Sequence, residues 1–294
     1  MCLIKNKLKE LYALFVYFCY IKICQISNSK MSITIVTAYY ELPHKKYSSM
    51  HYSVWCRLYL KNTDANMIIF TDESSLPVLQ EYRKNYLDKT KFVIQSLQSF
   101  YTYKFLEYWI KDHKRDHERY HHHPYLYMIW AEKSTFLKKA IDMNVYNSEF
   151  FCWTDIGMVR EESQLSYINK FPNEEILKTI KTDKVYLLNI DEFTEQELKN
   201  NDVCQIFRYI PTARIGGGFI LGHKDVLQKW SRIYYETLED FMKKDYFAGK
   251  DQSIMACIYL KYRDELIELV RPKDSPINPW FYMLYYFGNR PLSS

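Results

Sequence analysis

Short apolar runs alternate along this chain with longer stretches whose apolar residues return every three or four positions. Ile33 to Ala38 (ITIVTA) and Met67 to Thr71 (MIIFT) are apolar runs set between polar residues, the pattern of strands covered on both faces. Between them Met50, Val54 and Leu58 repeat at helical spacing, which predicts the order strand, helix, strand. Further strands are predicted at Phe92 to Gln95, Phe150 to Thr154, Val185 to Ile190, Phe219 to Leu221 and Leu266 to Val270. Helices are predicted over Leu76 to Tyr86, Tyr101 to Lys114, Tyr125 to Met143, Asp225 to Lys243 and Asp251 to Tyr262. The expected class is α/β, with a mixed, mainly parallel sheet flanked by helices. Neither a repeat nor a Pro/Gly/Ser linker interrupts residues 31–294, so one domain is expected there.

Residues 1–30 follow a different pattern. Lys5, Lys7 and Lys9 precede an apolar run from Leu11 to Ile21, and Lys22 closes it. That run is about half the roughly 20 residues that cross a bilayer, and no small-residue cleavage site follows it. Three readings stay open: a weak signal or anchor, an amphipathic appendage, and an upstream extension without function. The segment also accounts for most of the chain's net charge of +5, because it holds five lysines and one glutamate. Residues 31–294 then carry 35 basic against 34 acidic side chains, which argues against a dedicated nucleic-acid surface. An aromatic content of 17%, including 28 Tyr, excludes the disordered classes. Seven cysteines without a CxxC pair are expected to be buried free thiols in a reducing compartment. The expected location is cytoplasmic, with membrane association only through residues 1–30.

In an open α/β sheet, ligands bind beyond the carboxyl ends of the strands. Three such ends carry polar residues: Thr37, Ala38 and Tyr39; Thr71 and Asp72; and Thr154 and Asp155, with Gly157 two residues later. Asp155 is a candidate ligand for a divalent cation, and Gly157 would allow close approach; an ordinary turn uses the same residues. Asp72 is a candidate hydrogen-bond acceptor for a ribose, or else a helix cap. Lys133 could meet a phosphate as a point charge. Gly216, Gly217 and Gly218 belong to IGGGFILG, which holds four of the chain's seven glycines, so a strained turn or a close backbone approach is expected. His223 is a candidate further contact to metal or phosphate. In GKDQ, Asp251 is a candidate general base and Gln252 a hydrogen-bond donor to the transferred group, although capping also explains the aspartate. His113, His117 and His121 have helical spacing, but their dense charge and Pro124 point to a solvated helix end or loop.

Several stretches together resemble the HtrL/YibB-like family, generally placed near the GT-A glycosyltransferases. They are ITIVTAYYELP at 33 to 43, IIFTDE at 68 to 73, PYLYMIWAEKSTFLKKAIDMNVYNSEFFCWTDIGMVR at 124 to 160, RIGGGFILGH at 214 to 223, FAGKDQSIMA at 247 to 256 and PWFYMLYYF at 279 to 287. The resemblance implies a GT-A-like (nucleotide-diphospho-sugar transferase) domain that moves a sugar from a nucleoside-diphosphate donor to a glycan hydroxyl. It implies that Thr37, Ala38 and Tyr39 line the nucleotide pocket and that Asp72 lies near the ribose. Asp155 would hold Mn²⁺ or Mg²⁺, Lys133 would contact the donor, and Gly216 to Gly218 with Asp251 and Gln252 would face the sugar and the acceptor. The usual Asp-x-Asp is incomplete, because Gly157 stands at its third position. The alternative reading is a non-catalytic nucleotide- or carbohydrate-binding domain of the same fold.

Overall fold

Each of the seven runs read as strands pairs into a single sheet in the computed structural model. It describes residues 32–43, 46–199, 205, 213–272 and 275–291, so the readings of residues 1–30 lie outside the described residues. The strands are β1 (Ile33–Tyr39), β2 (Met67–Thr71), β3 (Thr90–Ile94), β4 (Phe150–Thr154), β5 (Val185–Asn189), β6 (Ile215–His223) and β7 (Ile267–Val270), in the spatial order β3-β2-β1-β4-β6-β5-β7. Every neighbouring pair is parallel except the two that involve β6, which runs antiparallel to both β4 and β5. The sheet is therefore mixed and mainly parallel, as expected. Its one reversed strand begins at the edge where β1 and β4 end.

The longer helices are α1 (Ser49–Asn62), α2 (Leu76–Tyr82), α3 (Leu106–Arg115), α4 (Pro124–Met143), α5 (Lys224–Lys243), α6 (Asp251–Leu266) and α7 (Tyr282–Gly288). Pro124 opens α4 in the first turn, where its missing N–H is not needed, and Asn144 closes it in the left-handed region. On one face of the sheet α4, α5 and α6 enclose the main core. There Phe136 stacks on Trp153, with ring centroids 5.7 Å apart, and also packs on Phe70. On the other face Tyr59 of α1 shares a 2.7 Å hydrogen bond with Thr154, and Phe287 of α7 stacks on Phe219. Successive residues of β4 serve opposite faces, as strand alternation requires.

Some local expectations change. Met50 and Val54 give α1 its helical spacing but not its buried face, since Met50 is 77% exposed and the helix buries Trp55, Cys56, Leu58, Tyr59 and Leu60 instead. The predicted helix at Tyr101 begins as a 3-10 turn through Phe105. Cys56 and Cys152 are buried free thiols, whereas Cys257 is disulfide-bonded, against the expectation from cysteine spacing. Among the described residues no helix is long and apolar enough to cross a membrane.

The predicted helix over Leu76 to Tyr86 is cut short at Arg83, which is fully buried. Its guanidinium donates to the carbonyls of Leu60, Thr63 and Ala65 and to Thr90 Oγ1. It thereby ties the carbonyls at the end of α1 to the start of β3. Arg83→Leu leaves those carbonyls without a donor, and is expected to cost about 3–5 kcal/mol, read as a lower urea midpoint; a loss below about 1 kcal/mol would show that the network contributes little.

Candidate active site

The antiparallel register of β6 against β4 sets Thr154 opposite Phe219. Gly217 and Gly218 therefore arrive beside Asp155, the first residue after β4, whose amide donates to Gly218 O at 2.9 Å. Lys133, from the middle of α4, reaches the same point from the core side and is 3% exposed. Its ammonium lies 2.7 Å from Asp251 Oδ2, 2.9 Å from Gly217 O and 3.2 Å from Asp155 Oδ1. An ammonium has three protons, and three acceptors meet them.

Burial alone would push the Lys133 pKa down, but Asp155 and Asp251 outweigh it and hold the group above its ordinary value. The bridge is therefore fully formed at neutral pH. Its contribution is lost only as pH rises past the ordinary lysine value and through the raised one.

The glycine triplet is accounted for by close approach and not by a strained turn. All three residues lie in β6, and no described glycine has positive φ. A Cβ on Gly217 would fall 2.6 Å from Asp251 Oδ2, one on Gly218 3.4 Å from Asp155 Oδ2, and one on Gly216 2.8 Å from Leu188 Cδ2. Gly217 thus leaves room for the buried carboxylate, while Gly216 serves packing against β5.

A cavity of about 590 Å³ opens over this point. Ala38, Tyr39, Lys133, Asp155, Gly157, Gly217, Gly218, Asp251 and Gln252 line it, so most of the expected site residues come together. Four do not. Thr37 is buried within β1, and Gly216 faces Leu188. Asp72 is two strands away from β4, and its Oδ1 accepts from Ser75 N and Ser74 Oγ, both at 2.7 Å, closing the turn before α2, whose N-cap is Ser75. His223 ends β6 opposite Phe150, at the far edge of the sheet, where its Nδ1 caps α5. An antiparallel strand carries its two ends to opposite edges, so His223 cannot share a metal with Asp155.

Two roles also change. Asp251 is 5% exposed, with one oxygen on Lys133 and the other accepting from Gln252 N at 2.9 Å. Both its oxygens are engaged, and it serves as the counter-ion of Lys133. Lys133, with all its protons committed, is not free for a donor phosphate. Asp155 is the carboxylate that faces the cavity. Trp153 Nε1, at 2.9 Å, and Lys133 hold its Oδ1, while Oδ2 has no partner among the described residues and the side chain is 45% exposed. A Mn²⁺ or Mg²⁺ ion shared by Asp155 and Asp251 does not fit, because the Lys133 ammonium stands where it would stand; an ion here would rest on Asp155 Oδ2 alone, with water and diphosphate oxygens as its other ligands.

Sequence reasoning missed the second wall. The segment 116–123 is a turn, so His113, His117 and His121 do not share a helical face. Instead His122 Nδ1 lies 2.7 Å from Asp116 Oδ2, which also accepts from the Tyr127 hydroxyl at 2.6 Å. Burial by itself would raise the Asp116 pKa, but the His122 and Tyr127 hydrogen bonds hold it below the usual carboxylate range. Lys250 donates to Glu118 at 2.7 Å and lies over the Trp130 ring. Asp116, Glu118 and His122 place ligand atoms within 4.8 Å of one another, yet Tyr127 and Lys250 already engage their oxygens. Arg160 was also missed. The only signal for it was a basic residue five positions after Asp155.

Lys133→Met leaves Asp251 buried without a counter-charge, and is expected to destabilise the fold by about 3–5 kcal/mol at neutral pH. Urea titrations of both proteins at neutral pH measure this, and a deficit below about 1 kcal/mol would show that the bridge contributes little.

Among solved structures, the chain is similar to mouse xyloside xylosyltransferase 1 in its apo form, at 13% identity and a TM-score of 0.44, over 81% of this chain and 85% of that one. It is also similar to 4-diphosphocytidyl-2C-methyl-D-erythritol synthase from Anaerococcus prevotii, at 10% identity and a TM-score of 0.36, over 88% and 96% of the two chains. No curated protein matches it. Residues 31–287 match the family described as "Bacterial protein of unknown function (HtrL_YibB)". The chain belongs to the HtrL_YibB family.

Proposed function

We propose that this protein is a GT-A-like glycosyltransferase, which moves a sugar from a nucleoside-diphosphate donor to a hydroxyl of a glycan acceptor. The observation that carries the reading is Asp155: a carboxylate at the end of a central strand, fixed through one oxygen and open to the cavity through the other. A group held in that way is suited to general-base work. Asp155 Oδ2 takes the proton of the acceptor hydroxyl, and the hydroxyl oxygen forms a bond to the anomeric carbon. The bond from that carbon to the diphosphate oxygen breaks, and its electron pair leaves with the nucleoside diphosphate. Gln252, whose Nε2 donates to Ile215 O at 3.1 Å, is fixed on the cavity wall and helps to position the sugar. Trp280 also lines the cavity and offers an exposed flat apolar face for a sugar ring. The step requires no protein-held metal. Residues 31–294 are read as the catalytic domain.

The rival is a binding domain that keeps the pocket without catalysis. Lys133 pairing with both aspartates is the observation in its favour, since it already engages the carboxylate that would have to act as base. A panel of UDP- and GDP-sugars with oligosaccharide acceptors separates the two readings. Release of nucleoside diphosphate is expected with at least one donor, and Asp155→Asn should lower it by about 100-fold or more while thermal unfolding shows a folded protein. Donor binding without turnover favours the rival, and the absence of both turnover and thermal shift with every donor removes the proposal.

A further inference from the structure

We infer that Arg160 holds the diphosphate of the donor, and that its guanidinium takes the place a divalent cation would otherwise fill. This rests on the glycosyltransferase reading above. A leaving diphosphate needs positive charge beside it, and Lys133 cannot supply it because its three protons are spent on Asp155, Asp251 and Gly217. The other cations on the cavity wall are Lys46, Arg160 and Lys250. Lys250 is paired with Glu118 at 2.7 Å, and Lys46 is an exposed, flexible point charge.

Arg160 differs in how it is held. Its guanidinium carbon lies 4.4 Å from the Trp55 ring centroid, 5.2 Å from Phe281 and 5.3 Å from Tyr47. Its backbone N–H donates to Gln164 Oε1 at 2.6 Å, and its Nε contacts Gly157 O at 3.4 Å. No carboxylate among the described residues lies within 4.0 Å of it. Rings and carbonyl restrict the guanidinium while its two terminal nitrogens have no hydrogen-bond partner among the described residues, which is the arrangement that binds a phosphate in two-pronged fashion. Gly157 belongs to the same device, because a Cβ there would come 3.3 Å from Trp55 Cε3 and press on a ring that restrains Arg160. The wall carries four cationic side chains against the carboxylates of Glu118, Asp155 and Asp251, a surplus of one positive charge without any ion added.

Isothermal titration of the full chain with UDP, GDP and inorganic pyrophosphate, each in EDTA and in Mn²⁺, tests this. At least one nucleoside diphosphate is expected to bind within about twofold equally in the two buffers, and Arg160→Ala to weaken it at least about tenfold. Arg160→Lys, which keeps the charge and loses the planar fork, should recover only part of that loss. Arg160→Gln, which keeps a planar group between the rings, carries the same test if the alanine variant does not fold. An absolute requirement for Mn²⁺, or a folded Arg160→Ala or Arg160→Gln protein that binds as tightly as the parent, overturns this inference and leaves the glycosyltransferase reading standing. No binding of either nucleoside diphosphate in either buffer overturns that reading and this inference with it.

Discussion

The Lys133 ammonium is buried and carries a full charge, a combination that a protein interior tolerates only when every proton is met. Four elements supply the means: α4 brings the lysine, the residue after β4 brings Asp155, β6 brings the Gly217 carbonyl, and α6 begins with Asp251. Removing any one of them leaves a charge or a donor unmet in a low-dielectric site. The geometry of the sheet's carboxyl edge follows from this bridge. Asp155 is turned so that one oxygen faces inward and the other outward, and the strand beside Asp251 must carry glycine because a methyl group would overlap the carboxylate.

That constraint also explains the division of labour among charges. A lysine committed to two carboxylates contributes structure and a fixed field, and leaves little freedom to follow a ligand. The groups left uncommitted among the described residues lie at the rim: the outward oxygen of Asp155, and a guanidinium restrained by rings instead of by acids. Both lie on one short loop after β4, between residues 155 and 160, where a turn from Met158 N to Asp155 O sets their spacing. A single strand end therefore delivers an anion and a cation to the same cavity.

Much of this was legible before the fold was known. Continuous apolar runs announced the strands, because strands covered on both faces cannot alternate, and all seven appear where the runs lie. The concentration of glycine in a glycine-poor chain pointed correctly to close backbone approach. Asp155, Gly157, Asp251 and Gln252 were singled out because they stand at strand and helix ends, where ligands gather in α/β sheets, and Lys133 because it lies on the helix just before β4. The failures share one cause. Asp72 and His223 also stand at element ends, but whether an end lies at the site depends on strand order and direction. Those are set by pairings over long sequence separations.

The sequence by itself determined the secondary elements, the α/β class, the near-neutral charge of residues 31–294 and a short set of residues able to do chemistry. These follow from local periodicity and from side-chain type. Only the tertiary structure decided which residues meet, and through that, what each one is. Lys133 became a buried bridge because α4 packs under β4 and β6; Asp251 became its counter-ion and Asp155 the open carboxylate because β6 runs backward between β4 and β5. Arg160 acquired its place from three rings distant in sequence, at 47, 55 and 281. Such contacts leave no periodic trace in the chain, since they depend on how faces pack and not on which face is apolar.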